Sequence, residues 1–174
     1  MKFFFRDASF HDINFYLECF NNEEFLYMLY PSSPMSIGQL QYYITQNNRD
    51  FKLICSYVRD DEESLDIGFA HFYFQGEHKY AYLGGLAPKY FNSGYGVYAS
   101  IASLLLFYDI DSRTMITTGI YKHNLRSLKV HLAIGFTITS ETDEKWLLKL
   151  TKDGFNNDFV RRIKNKLTYQ LTDI

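Results

Sequence analysis

Cysteine is nearly absent: of 174 residues only Cys19 and Cys55 carry a thiol. Cys19 falls in a helix-like pattern and Cys55 in a strand-like one, with no metal-ligand spacing, so both read as small buried hydrophobes in a reducing compartment. Long apolar runs are missing too. The longest nearly apolar stretch, Ala99–Tyr108, contains Ser100 and Ser103 and stops well short of the roughly 20 residues that span a bilayer. At the N-terminus, Phe3 to Phe5 give way at once to Arg6 and Asp7, too short for the apolar region of about 7 to 15 residues in a signal peptide. A cytoplasmic protein without a membrane partner is expected. A surplus of charge is also absent, since 18 Lys and Arg against 20 Asp and Glu leave a formal charge of -2 and a pI near 6.2. That balance argues against broad phosphate-backbone binding, so no nucleic acid is expected as partner. The densest basic run, Arg161, Arg162, Lys164 and Lys166, reads as the solvated face of a helical tail.

What the chain has is aromatic mass. Phe (16), Tyr (15) and the single Trp146 make up 18% of it, enough apolar surface to exclude disorder. The length suits one domain over residues 1–174, large enough to fold without a disulfide or metal staple. Whether the aromatics only fill a core or also line a site has to be read from their positions.

Phe3 to Phe5 reads as an opening strand, and Ser9 with Asp12 forms a capping box for a helix carrying Ile13, Tyr16, Leu17 and Phe20 on one stripe. A second box, Ser36 with Gln39, opens a helix with Leu40, Tyr43 and Ile44 at helical spacing. Three β-favouring segments over 51–58, 65–74 and 80–87 follow, divided by an acidic turn at 60–63 and by Gly76 and Glu77, which predicts an antiparallel meander. A helix striped by Val97, Ile101, Leu104, Leu105 and Tyr108 then leads to a strand over 115–120. Asn124 starts a short helix that Gly135 ends, a closing hairpin spans 136–139 and 146–150, and Phe155, Phe159, Ile163 and Leu167 predict a tail helix. The whole reads as one α+β domain.

The run from Leu86 to Gly96 leaves a strand and enters a helix, where glycines and a helix N-terminus let backbone N–H groups approach an anion such as pyrophosphate. Gly94 to Ala99 also matches the spacing of a dinucleotide fingerprint. That motif belongs after the first strand of a repeated βαβ array, whereas these glycines follow several strands and lead into a single crossover. No Gly-Lys-Ser or Gly-Lys-Thr run occurs either, which removes a triphosphate loop.

In this order of elements, Leu86, Ala87 and Pro88 close a strand and Gly94 and Gly96 follow at a set distance. Some 30 residues on come Asn124, Ser127, Val130, Gly135 and Phe136. Together these resemble the two motifs of the GNAT family, the N-acetyltransferases that use acetyl-CoA. Phe91 stands where the family usually has Arg or Gln, and Asn92 where Gly is frequent. The resemblance implies a mostly antiparallel mixed sheet of six to seven strands flanked by helices, with a splayed strand pair that receives CoA. It implies acetyl-CoA as co-substrate, with no metal, and a small amine as acceptor; a homodimer is compatible with it. The backbone of Asn92, Ser93, Gly94, Tyr95 and Gly96 is expected to cradle the pyrophosphate, Asn124 and Ser127 to contact the coenzyme, and the N–H of Leu86 to stabilise an oxyanion.

His131 occupies the place, seven residues after Asn124, where many family members carry a proton-donating Tyr. The carboxylate that several relatives place on the fourth strand is missing, so water held by Tyr80, His78 or His71 is expected to deprotonate the amine. Tyr30, Tyr82 and His71 are the expected acceptor contacts. The helices before the sheet look most like the branch that modifies protein N-termini, polyamines and nucleotide-linked amino sugars, with the last as the expected acceptor. A non-catalytic acyl-CoA-binding domain is the alternative.

Overall fold

The computed structural model describes residues 1–29, 34–45, 49–58 and 64–172. Its centre is one mixed sheet built from β1 (Lys2–Asp7), β2 (Phe51–Val58), β3 (Leu65–Gly76), β4 (Lys79–Leu86), β5 (Met115–Tyr121), β6 (Thr137–Glu141), β7 (Lys145–Leu150) and β8 (Thr168–Leu171). The order across it is β6-β7-β5-β4-β3-β2-β1-β8. The predicted meander is present as β2, β3 and β4, antiparallel throughout. The one crossover in the predicted place makes β4 and β5 parallel.

β3 lies at the middle of the sheet and is buried on both faces from Ile67 to Phe72. Such a strand reads as a continuous apolar run rather than an alternation, because neither face meets water. One face packs against α4 (Tyr95–Ile110), and the Phe72 and Phe107 rings stack there at 3.9 Å and 7°. The other face is covered by α1 (Ile13–Phe20), α2 (Glu23–Leu29) and α3 (Ile37–Thr45) around Tyr16, Phe20, Phe25, Leu40 and Phe69. Both predicted capping boxes form, at Ser9 with Asp12 and at Ser36 with Gln39. The box at Ser9 opens a short 3-10 turn, Phe10–Asp12, which leads into α1. Among the described residues no helix is long and apolar enough to cross a membrane.

Three features differ from the sequence expectation. A helix absent from the sequence reading stands between the two expected there: α1 spans the expected Ile13 to Phe20, and α2 begins after Asn22, whose side chain accepts from the Phe25 N–H at 3.1 Å. α4 carries no single apolar stripe, and Ile101 through Tyr108 are all buried, because β8 and α7 (Asp158–Lys164) cover the side away from the sheet. The tail is not one helix. It breaks into α6 (Lys152–Phe155) and α7, which Asn157 caps by accepting from the Val160 N–H at 3.0 Å. It then ends as β8, parallel to β1, and brings the sheet to eight strands.

Candidate active-site cleft

β4 and β5 pair only at Lys79 with Met115, Tyr80 with Ile116 and Ala81 with Thr117; beyond that register the ladder ends. The Thr118 hydroxyl still reaches the carbonyl of Tyr82 at 3.0 Å, marking the fork. Past it a cleft of about 390 Å³ opens between the strands. Strand geometry decides which backbone groups face it. The Ala87 N–H donates to Ile67 on β3 at 2.8 Å, so by alternation the N–H groups of Leu86 and Gly84 turn toward the gap. Neither glycine beside the fork has room for a side chain. A Cβ on Gly84 would lie 2.2 Å from the Tyr82 hydroxyl, and one on Gly85 would lie 2.7 Å from the Phe69 ring and 2.8 Å from Phe25. The strand backbone is therefore bare where the cleft passes it.

The loop after β4 forms the next wall. Asn92 and Gly94 both adopt positive φ, 63° and 85°, a conformation that Gly takes freely and Asn tolerates. Gly94 caps α4 without a side chain, and the Ser93 hydroxyl accepts from the Tyr95 N–H at 3.2 Å. The next amides of the first turn, at Gly96 and Val97, belong to residues that line the cleft, and a helix N-terminus there favours an anion. The Tyr95 ring packs against Tyr57 and Tyr90, outside the cleft wall, so this residue can contribute through its backbone only.

α5 (Leu125–Ile134) closes the same side. The Asn124 carbonyl oxygen accepts from the Ser127 N–H at 3.0 Å, and its amide donates to the Met28 carbonyl at 3.5 Å, so this side chain caps α5 and ties it to α2. His131 lines the cleft, its ring 4.9 Å from Phe136 and 6.3 Å from Tyr82. Its Nδ1–H donates to the Ser127 carbonyl at 2.8 Å, which leaves Nε2 as the lone-pair nitrogen. Burial holds the His131 pKa below the ordinary value of 6.5 despite that hydrogen bond. The proton donor expected near neutral pH is thus a neutral imidazole at rest, because the apolar surroundings penalise the cation.

Two basic residues that sequence reasoning passed over also line the cleft. Arg126 donates to the side-chain oxygen of Asn92, bridging α5 to the loop, and Lys145 comes from β7. Among the described residues that line the cleft there is no Asp or Glu. A signal for Arg126 was available: a cation in the first turn of a helix sits against the dipole unless something else holds it. For Lys145 there was none.

The expected acceptor and base residues are dispersed. Tyr30 lies outside the described residues. Tyr82 does line the cleft, but from beneath α4, 5% exposed, with its hydroxyl 3.3 Å from Ser103. Tyr80 does not reach it and packs between Phe51, Phe74 and Phe107, because α4 covers that face of β4 up to the fork. His71 does not reach it either. It is wholly buried under α1 and α3, with Nε2 2.7 Å from the Tyr16 hydroxyl and Nδ1 2.6 Å from that of Tyr43. It serves as a satisfied core histidine, so contact with substrate or with a catalytic water is ruled out for it in this fold. His78 is held elsewhere, 2.6 Å from Asp111.

The cleft passes through the sheet to the side of α2, where Phe25 and Met28 line it. Behind the cleft-lining Tyr121, the His123 Nε2–H donates to the Tyr27 carbonyl at 2.7 Å, and the His123 ring contacts those of Tyr27 and Tyr121, at 4.5 Å and 5.7 Å. Among the described residues no three His, Cys, Asp or Glu side chains gather as a metal would require.

No family model and no curated protein matches the sequence. Solved structures do match in fold. A spermidine N-acetyltransferase from Vibrio cholerae, in complex with CoA and spermine, superimposes with a TM-score of 0.74 at 14% identity, over 89% of this chain and 98% of that one. An aminoglycoside acetyltransferase in complex with coenzyme A gives 0.70 at 18% identity, over 88% and 96%. A GNAT-family acetyltransferase from Bacillus anthracis gives 0.70 at 19% identity, over 86% and 94%. With its mixed sheet, its forked strand pair and the loop that leads from the fork into a helix, the chain has the fold of the GNAT superfamily.

Proposed function

We propose that the protein is an acetyl-CoA-dependent N-acetyltransferase that acts on a primary amine of a small acceptor, with a nucleotide-linked amino sugar as the preferred acceptor. The observation that carries this reading is the parting of β4 from β5 beyond Ala81 and Thr117, with the resulting cleft ending at the N-terminus of α4. The thioester of acetyl-CoA supplies an acetyl carbon that an amine attacks directly, so no covalent enzyme nucleophile is needed. The chain's own residues bind, orient and handle protons.

The amides of Asn92, Gly94 and Gly96, the positive end of α4 and the Arg126 guanidinium suit a pyrophosphate, whereas the N–H groups of Ser93 and Tyr95 are taken by the Tyr90 carbonyl and the Ser93 hydroxyl. The open edge of β4 offers Gly84 and Leu86 N–H groups to an extended, amide-bearing chain, as a strand edge does. The Leu86 N–H is the donor for an oxygen on which negative charge grows. Neutral His131 takes up a proton at Nε2 and, once charged, gives it back, a relay suited to a reaction in which the amine loses a proton and the sulfur gains one. The Tyr121 ring, the one of this group that lines the cleft, suits a sugar or base laid beside it.

Isothermal titration of the full chain with acetyl-CoA tests this reading: micromolar binding is expected, and no binding overturns it. A second reading, a non-catalytic acyl-CoA-binding domain, is favoured by one observation, the absence of any carboxylate among the described residues lining the cleft. Binding without turnover across a panel of amines distinguishes the two.

A further inference from the structure

Among the described residues that line the cleft Lys145 brings a positive charge and none is an acid, and we propose that Lys145 selects amines that also bear an anionic group, a carboxylate or a phosphate, over polycationic amines. The inference rests on the acetyltransferase reading and concerns which acceptors that site takes. Lys145 stands directly opposite Tyr121 in the β5–β7 ladder. In that ladder Ile116, Ile120, Leu148 and Leu150 point to the buried cluster under α4, so Tyr121 and Lys145 point to the other face, the side of α2.

The placement of the charge is well defined. A Cβ on Gly119 would lie 3.6 Å from the Lys145 Cδ, so the stem of Lys145 runs over a bare stretch of strand. Its Nζ ends 4.2 Å above the centroid of the Tyr121 ring. The cation is thus held by a ring face rather than by an acid. Glu141, on the next strand, pairs with Lys122 at 3.4 Å instead, and no described residue forms a salt bridge with Lys145. A polycation entering the cleft meets a like charge, with no acid among the described lining residues to offset it. An anion gains a charge-assisted contact instead.

The test is steady-state acetyl transfer by the full chain, read as release of the CoA thiol, on amines matched except for charge. Glucosamine is compared with glucosamine 6-phosphate, alanyl-alanine with its C-terminal amide, and spermidine is run beside them; the phosphate and carboxylate pairs tell which anion is recognised. The anionic member of at least one pair is expected to have a kcat/KM higher by about tenfold, as a single charge-assisted contact supplies, with spermidine the poorest. Lys145→Met, with folding verified by its thermal melt, should raise the acceptor KM by about the same factor, erase the difference within the pair and leave the acetyl-CoA KM unchanged. Lys145→Arg should keep the preference. If Lys145→Met does not fold, Lys145→Gln replaces it. Spermidine preferred over the anionic amines, or a pair difference that survives in the folded variant, overturns the inference and leaves acetyl transfer standing. Turnover of none of these amines also overturns it, and loss of acetyl-CoA binding as well removes the parent reading.

Discussion

The Nδ1 of His131 lies 2.8 Å from the carbonyl oxygen of Ser127, one helical turn earlier, and this fixes which ring nitrogen can serve chemistry. With Nδ1–H committed and the pKa pushed below 6.5 by burial, the working form is the neutral ring with its lone pair at Nε2. Turnover should therefore hold at neutral pH and fall on the acid side, with the fall beginning below pH 6.5 as the imidazole becomes charged. His131→Phe should lower kcat by roughly 100-fold, the lower range for a lost acid–base group, with little change in the acetyl-CoA Kd. A pH–rate profile of both proteins checks this. An unchanged kcat in the variant removes His131 from the mechanism.

Arg126 bridges to the Asn92 side chain and brings a cation to the loop. Arg126→Ala should weaken acetyl-CoA binding by about tenfold, as expected when one charge-assisted contact to a phosphate is lost. The wild-type advantage should shrink as salt is raised. Titration calorimetry at two ionic strengths reads both effects, and an affinity unchanged at low salt contradicts the role given to this residue.

Gly84 leaves the space that the Tyr82 hydroxyl fills, 2.2 Å from where a Cβ would stand. Gly84→Ala must push aside the Tyr82 ring, which lines the cleft with it, and should cost acetyl-CoA affinity and roughly 1–3 kcal/mol of stability, the range for overpacking. Adding Tyr82→Phe removes the closest contact and should restore part of both. A double-mutant cycle read by calorimetry and urea unfolding gives the coupling, and additive losses contradict the steric account.

His71 makes stability depend on pH. It is fully buried, hydrogen-bonded to Tyr16 and Tyr43, and its pKa is pushed down to about 3. The unfolded chain binds the proton first as pH falls below 6.5, so the stabilisation is complete above that value. It is lost progressively as pH falls toward 3, by roughly 4 to 5 kcal/mol in all at 1.36 kcal/mol per pKa unit. Urea unfolding at pH 7 and pH 5 should show a loss of about 2 kcal/mol from this source. His71→Gln, less stable at pH 7, should lack that increment, and an equal slope in the two proteins counts against it.

Much of the fold is legible in the residues, for reasons that also mark where legibility stops. Alternation placed Tyr80 and Tyr82 on one face of β4, as they are, but nothing local says that α4 covers that face as far as Tyr80 and leaves Tyr82 at the cleft. The strand at Thr168–Leu171 escaped notice because it is short and pairs in parallel with β1, some 160 positions away in the chain. Leu86, Gly94, Gly96, Asn124 and His131 are implied by the resemblance of two short motifs, whose loop and cap chemistry is local, and all five line the cleft. Lys145 could not, because its relation to Tyr121 exists only once β5 and β7 are in register.

The most direct test of the central claim is thiol release from acetyl-CoA by the full chain in the presence of the amine panel, with the acetylated amine quantified by mass. The account predicts release in equal amount to the acetylated product, suppressed in His131→Phe and slowed at subsaturating acetyl-CoA in Arg126→Ala. Acetyl-CoA bound at micromolar concentration, with no thiol released over background for any amine, contradicts it and leaves a binding domain in its place.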